Sequence, residues 1–176
     1  MSEQPGRYHR SFPGLAAALV VLIALVVGMV VLQKLTNAVG SPNPTPAVPY
    51  AKTVTYVRQQ SHLHLLAPPS LPQGWRATSV RYADGRDEHW HLGVLTAGDQ
   101  YIGLEQGHGP VRAMVKKYVA PRARQQQPVT IDGASWTVWS DAQGDLGLCR
   151  RQGNTTTLVV GTADRATLTG YAASLR

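Results

Sequence analysis

Three histidines and a glutamate fall within twenty residues of this chain: His89-Trp90-His91, Glu105 and His108. His89 and His91 alternate around Trp90, so on a strand both imidazoles lie on one face. If the hairpin that follows turns about Gly98-Asp99, His89 stands opposite His108 and His91 opposite Gln106. Three converging imidazoles would supply the ligand count of a catalytic zinc site. The constellation depends on one register, and a slip of one residue removes it. The simpler reading keeps His91 as a hydrogen-bonded structural histidine and leaves His89 and His108 in solvent.

Other residues able to do chemistry are more scattered. Glu105 with Asp87, Glu88 or Asp99 would make a carboxylate pair for acid–base work. These acids fall at expected strand ends and turns, where carboxylates are ordinarily solvated. His62 and His64 form a second His-x-His pair beside a Pro-rich loop and read as surface residues. Gly107-His108-Gly109 precedes a helix and could turn backbone amides toward an anion. Pro110 removes one of those donors, and the spacing is neither a dinucleotide nor a P-loop fingerprint. Ser135 has no nucleophile elbow around it. Trp136 and Trp139 fall on opposite faces of one strand, one in the core and the other under a helix or at a contact surface. Cys149, the lone cysteine, reads as a small core residue and excludes an internal disulfide. The sequence therefore assigns no catalytic residue, cofactor or metal, with His89, His91 and His108 as the metal candidates to examine.

Charge supplies the clearest surface. Pro110 to Ala120 predicts a helix, with Val111, Met114, Val115, Tyr118 and Val119 in one apolar stripe. The stripe must face a sheet, which leaves Arg112, Lys116 and Lys117 outside. Arg122 and Arg124 follow in a polar loop, and no acid occurs from Gln106 through Ile131. These five residues are a candidate surface for anionic lipid headgroups or acidic wall polymer; a solvated helix face is the plainer alternative.

The elements that must hold these residues are mostly hairpins. Tyr50 to Ser61 predicts a helix by the spacing of Tyr50, Val54 and Val57, against the strand preference of Thr53 to Val57. Arg76–Ala83, His89–Thr96 and Tyr101–Gln106 read as consecutive strands. Asp132-Gly133 is a strong two-residue turn joining Val129–Ile131 to Ser135–Ser140. Gly153-Asn154 joins Leu146–Arg151 to Thr155–Thr162, and Asp164–Leu175 closes the chain as a helix capped by Thr162. Nothing alternates strand, helix and strand in the manner of a parallel sheet. The expected fold class is α+β, an antiparallel sheet of hairpins packed with helices.

Ahead of this domain, Gly14 to Leu32 is a nineteen-residue run without a charge or amide. As a helix it spans roughly 28 Å, close to the hydrocarbon thickness of a bilayer. Its twelve Leu, Ile and Val residues contribute roughly −5 kcal/mol on the insertion scale. Arg7 and Arg10 precede it and Lys34 alone follows closely, so residues 1–13 are expected in the cytoplasm and residues 33–176 outside, in a single-pass plasma-membrane arrangement. A cleaved signal peptide is the rival, but its apolar stretch is usually shorter. Residues 33–49, with four prolines among Gly, Ser and Asn, read as an extended spacer, leaving residues 50–176 as one domain. That domain has 14 Lys or Arg against 9 Asp or Glu. The excess suits acidic partners, and a position outside the membrane argues against nucleic acid.

Several motifs together resemble a known family: Leu71-Pro72-x-Gly74-Trp75, Trp90-His91-Leu92-Gly93, Tyr101-x-Gly103-Leu104-Glu105-Gln106 and Asp132-Gly133-x-x-Trp136. With the basic tail, apolar run, Pro-rich spacer and Ala172-Ala173-Ser174-Leu175 ending, the chain resembles the single-pass actinobacterial membrane proteins grouped as a domain of unknown function. The resemblance covers nearly the whole chain, favours the helix at Tyr50–Ser61 and implies no activity. The order of elements is also similar to the Mog1/PsbP-like fold, which speaks to architecture alone. The sequence thus points to a membrane-anchored extracytoplasmic module that binds an envelope component or a protein partner. The alternative is a metal-dependent or acid–base envelope enzyme working from the Trp90-His91/Glu105-Gln106 hairpin.

Overall fold

The computed structural model of the protein describes residues 46–176, together with Leu25 and residues 27–29. Those four isolated positions are helical. The rest of the Gly14–Leu32 run, the tail and residues 33–45 lie outside the described residues. Among the described residues no helix is long and apolar enough to cross a membrane.

Pro46–Arg176 is one compact unit. Its elements in chain order are α1 (Ala51–Gln60), β1 (Arg76–Ala83), β2 (His89–Leu95), β3 (Tyr101–Gly107), α2 (Val111–Tyr118), β4 (Arg124–Ile131), β5 (Ala134–Ser140), β6 (Leu146–Gln152), β7 (Thr155–Gly161) and α3 (Arg165–Ser174). The seven strands form one sheet in the order β1-β2-β3-β7-β6-β5-β4, antiparallel throughout. The expected α+β architecture of hairpins and helices is what forms.

Alternation along the central strands gives the sheet two different faces. Trp90, Leu92 and Val94 of β2, Ile102 and Leu104 of β3, Val159 of β7, Leu148 of β6 and Trp136 and Val138 of β5 share one buried cluster with Val54 and Val57 of α1 and Leu168, Tyr171 and Ala172 of α3. This is the closed face. On the other face, α2 sets Met114 and Val115 against Trp139, Cys149, Leu158 and Val160. The second tryptophan therefore lies under a helix. The half of this face over β1–β3, the open face, carries no helix of its own among the described residues.

Turn chemistry fixes the registers. Asp132 and Gly133 both have positive φ, 46° and 75°, which suits the two-residue turn between β4 and β5. The β2–β3 turn differs from the sequence expectation. It is a five-residue loop, Thr96–Gln100, with Asp99 at φ 57°. Thr96 N donates to Gln100 O (2.9 Å) and Thr96 Oγ1 accepts from Gln100 N (3.1 Å). An odd loop shifts the pairing by one residue, and His91 stands opposite Glu105, not Gln106.

Further differences concern ends. The cap of α3 is Asp164, whose carboxylate accepts from Thr167 N at 2.7 Å. Thr162 instead closes β3, its hydroxyl accepting from Tyr101 N at 3.1 Å. Pro110 caps α2 from extended backbone and does not occupy its first turn. β4 begins at Arg124, earlier than expected, and is kinked by a bulge between Gln126 and Val129 around Pro128. At the opposite edge, Val48 N donates to Ala77 O of β1 at 2.8 Å.

Candidate functional site

Two buried glutamates organise the polar residues around β2 and β3. Glu88 ends the β1–β2 turn and is 4 % exposed. Its Oε1 accepts from the Tyr82 hydroxyl (2.6 Å) and from His62 N (3.0 Å). Its Oε2 accepts from His62 N (3.2 Å) and contacts His108 Nε2 (3.0 Å). Burial alone would raise this carboxyl; Tyr82, the His62 amide and His108 outweigh it and hold it below the ordinary glutamate value. The partners of Glu88 come from α1's trailing segment, β1 and the β3–α2 connection, so the cluster fastens three pieces of chain.

Gln106 does similar work one strand over. It is fully buried on the closed face and spans to residues 64–66: Leu66 N donates to Oε1 (3.0 Å), and Nε2 donates to His64 O (3.1 Å) and Thr157 Oγ1 (2.8 Å). His62 and His64 thus serve through their backbones, and the His62 side chain is exposed.

Glu105, also 4 % exposed, lies on the open face. The observed register brings His89 and His91 to it. His91 Nδ1 is 2.6 Å from Oε1, and His91 Nε2 is 2.8 Å from Ser79 Oγ. His89 Nε2 comes within 3.0 Å of Oε2 but off the line of a hydrogen bond, leaving that buried oxygen without one. His89 also meets the Tyr118 hydroxyl at 2.9 Å, and the two rings stack with centroids 5.7 Å apart. Burial would raise the Glu105 carboxyl, and its contacts with His89 and His91 more than reverse this, so it is held below the ordinary value. An ionised Glu105 can only accept, so Nδ1 is the donor of this contact, and in the neutral imidazole Nε2 is then the acceptor for the Ser79 hydroxyl.

The three-histidine cluster read from the sequence does not assemble. His108 lies beyond β3 and joins Glu88, while His89 and His91 join Glu105. Among the described residues, no group of three or more His, Cys, Asp or Glu is arranged to hold a metal ion. Both glutamates are buried, contrary to their expected solvation, because each is surrounded by donors. Asp99 is spent on Arg76 (2.6 Å) at the hairpin tip. Gly107-His108-Gly109 is a tight connection whose Gly109 carbonyl accepts from Thr156 Oγ1 (2.6 Å). Cys149 is buried, and burial pushes its thiol up to about 12. Ser79, which the sequence reading did not single out, became visible only through the β1–β2 pairing.

A cavity of about 370 Å³ opens beside this cluster, lined by Arg86, Asp87, Glu88, His89, Gly107, His108, Gly109, Met114 and Lys117. Lys117 also lies 4.7 Å over the Tyr118 ring. Arg112, Lys116 and Lys117 are exposed on α2, as is Arg122 beyond it. None of the four has a carboxylate within ion-pair distance among the described residues. Arg124 departs from the expected group. It pairs with Ser140, and alternation from Trp139 places Ser140 on the closed side, so Arg124 belongs to the face opposite α2.

The family described as "Protein of unknown function (DUF4245)" matches residues 7–175. The chain belongs to this family. No curated protein and no solved structure matches it.

Proposed function

We propose that this family member is a membrane-tethered module whose domain works outside the membrane and binds an acidic envelope component. The tether is the uncharged Gly14–Leu32 run, and the excess of arginine ahead of it sets the orientation. The observation that carries the binding reading is a strip of exposed cations on α2 with no ion-pair partner among the described residues. It comprises Arg112, Lys116 and Lys117, and Lys117 also lines the cavity edge, where Arg86 adds a further basic side chain. Asp87 is the one acid at that edge outside any ion pair among the described residues, since Glu88 is consumed internally. Each basic residue near an anionic surface contributes about 1 kcal/mol, so the strip supports weak, salt-sensitive association.

Residues 46–176, the compact unit, should cosediment with vesicles containing anionic lipid, or with an acidic wall polymer, and release as salt is raised. Replacing Arg112, Lys116 and Lys117 together by Gln should abolish this while the far-ultraviolet spectrum stays unchanged. Binding that survives the triple change or ignores salt defeats the reading. Protease added to spheroplasts should remove the domain and leave a membrane-bound stub; a protected domain would reverse the orientation.

A further inference from the structure

Ser79, His91 and Glu105 meet in a particular order: hydroxyl to Nε2 at 2.8 Å, and Nδ1 to a buried carboxylate at 2.6 Å. This is the connectivity that makes a serine hydroxyl nucleophilic, with the carboxylate fixing the tautomer and the free nitrogen poised to take the proton. Three features of the backbone build it. The bulge between Ala77 and Ser79 in β1 shifts the strand by one residue and places Ser79 opposite Gly93, on the open face. Without it, Ser79 would pair with Leu92 and face the core. Gly93 is the second feature: a Cβ there would lie 2.4 Å from Ser79 Oγ, so the hydroxyl needs glycine opposite. The third is Gly103, which with Gly93 leaves a bare floor crossed by the Tyr101 ring. The Tyr101 hydroxyl lies 3.3 Å from the Gly93 Cβ position and 3.1 Å from that of Gly103. The Tyr101 hydroxyl, a phenol at neutral pH with its pKa raised further by burial, is a donor that shares the Gly93 position with Ser79 Oγ.

We propose that this cluster is an acyl-transfer site acting on carboxylic esters of short acyl groups, with Ser79 as nucleophile, His91 as general base and Glu105 as the positioning residue. Ser79 Oγ adds to the ester carbonyl carbon as its proton passes to His91 Nε2, and the Tyr101 hydroxyl donates to the resulting oxyanion. Collapse breaks the ester C–O bond, and the departing alcohol takes the proton from His91. The acyl group remains on Ser79 until water, deprotonated by His91, releases it as a carboxylic acid and restores the serine. The ring of Tyr101 over the glycine floor limits the acyl group to a short one. This activity is independent of the cationic strip.

The test uses the full chain in detergent micelles, an alkyl fluorophosphonate as probe and p-nitrophenyl acetate as substrate. The expected result is one adduct, mapped to Ser79 by peptide mass spectrometry and lost on heat denaturation. Ser79→Ala should abolish both the adduct and acetate release. Glu105→Gln should lower the limiting labelling rate constant by about 100-fold, with reagent affinity unchanged and Glu105→Asp partly restoring the rate. The glutamine triple variant of α2 should label normally. No adduct on folded wild-type protein under conditions that label a control serine hydrolase overturns the proposal. So does labelling of Ser79 that persists after denaturation, or a Glu105→Gln effect confined to reagent affinity. Neither failure bears on vesicle binding.

Discussion

Glu88 and Glu105 have the same burial and open opposite kinds of question. Both carboxylates sit 4 % exposed among histidines. Glu88 has every oxygen engaged, by a tyrosine, a main-chain amide and an imidazole from three separate segments. Glu105 has one oxygen on His91 and the other without a hydrogen bond. A buried carboxylate with all its acceptors filled stabilises a fold and has nothing left to offer a ligand. One with an acceptor to spare is less stabilising and keeps a lone pair for chemistry. The difference between them separates structural from chemical use of one residue type.

The largest effect should come from Glu88→Gln. It leaves the His62 amide, the Tyr82 hydroxyl and His108 without their charged acceptor, and should lower unfolding free energy by about 3 kcal/mol in urea titrations. Glu105→Gln should cost less, about 1–2 kcal/mol, because fewer buried donors lose a partner. Equal losses would erase the contrast. Acid should next test what the pair share. Both folded pKa values lie below the ordinary value, so the unfolded chain binds protons first as pH drops. Their stabilisation is complete above the ordinary glutamate range and is lost as pH falls through the depressed folded values. Each contributes a slope of at most about 1.4 kcal/mol per pH unit in that window. Either glutamine variant should flatten the dependence measured by thermal melts across pH 2–6 (about two units either side of an ordinary glutamate). The smallest effect belongs to Arg112, Lys116 and Lys117. Each change to Gln should move stability by no more than about 0.5 kcal/mol, since none packs in the core.

The architecture was legible because hairpins announce themselves. Asp132-Gly133 and Gly153-Asn154 fixed two registers, and the stripe of α2 gave its buried side. The candidate site was not legible, for a reason of one residue. Gly98-Asp99 resembles a two-residue turn, but the hydroxyl of Thr96 holds a five-residue loop, and that choice decides whether His91 meets Gln106 or Glu105. The bulge in β1 has the same character: no residue between Ala77 and Ser79 signals it, yet it determines which face receives Ser79. Glu88 was misjudged because its donors come from distant segments, and burial of a charge is visible only when those segments are brought together. Arg124 was misplaced because β4 starts earlier than its run of polar residues suggests.

The two edges of the sheet have a consequence for the protein among its own copies. An exposed edge strand offers a row of unpaired amides and carbonyls to any neighbour. Here β4 presents Arg124, lacks a donor at Pro128 and bends at its bulge. On β1, Val48 already occupies the carbonyl of Ala77. Tethered molecules would share a plane, which raises their encounter frequency and restricts their mutual orientations. Edges blunted in this way deny a neighbouring copy a template for strand pairing, and under the proposed tethering they would keep crowding in a plane from becoming sheet-to-sheet polymerisation.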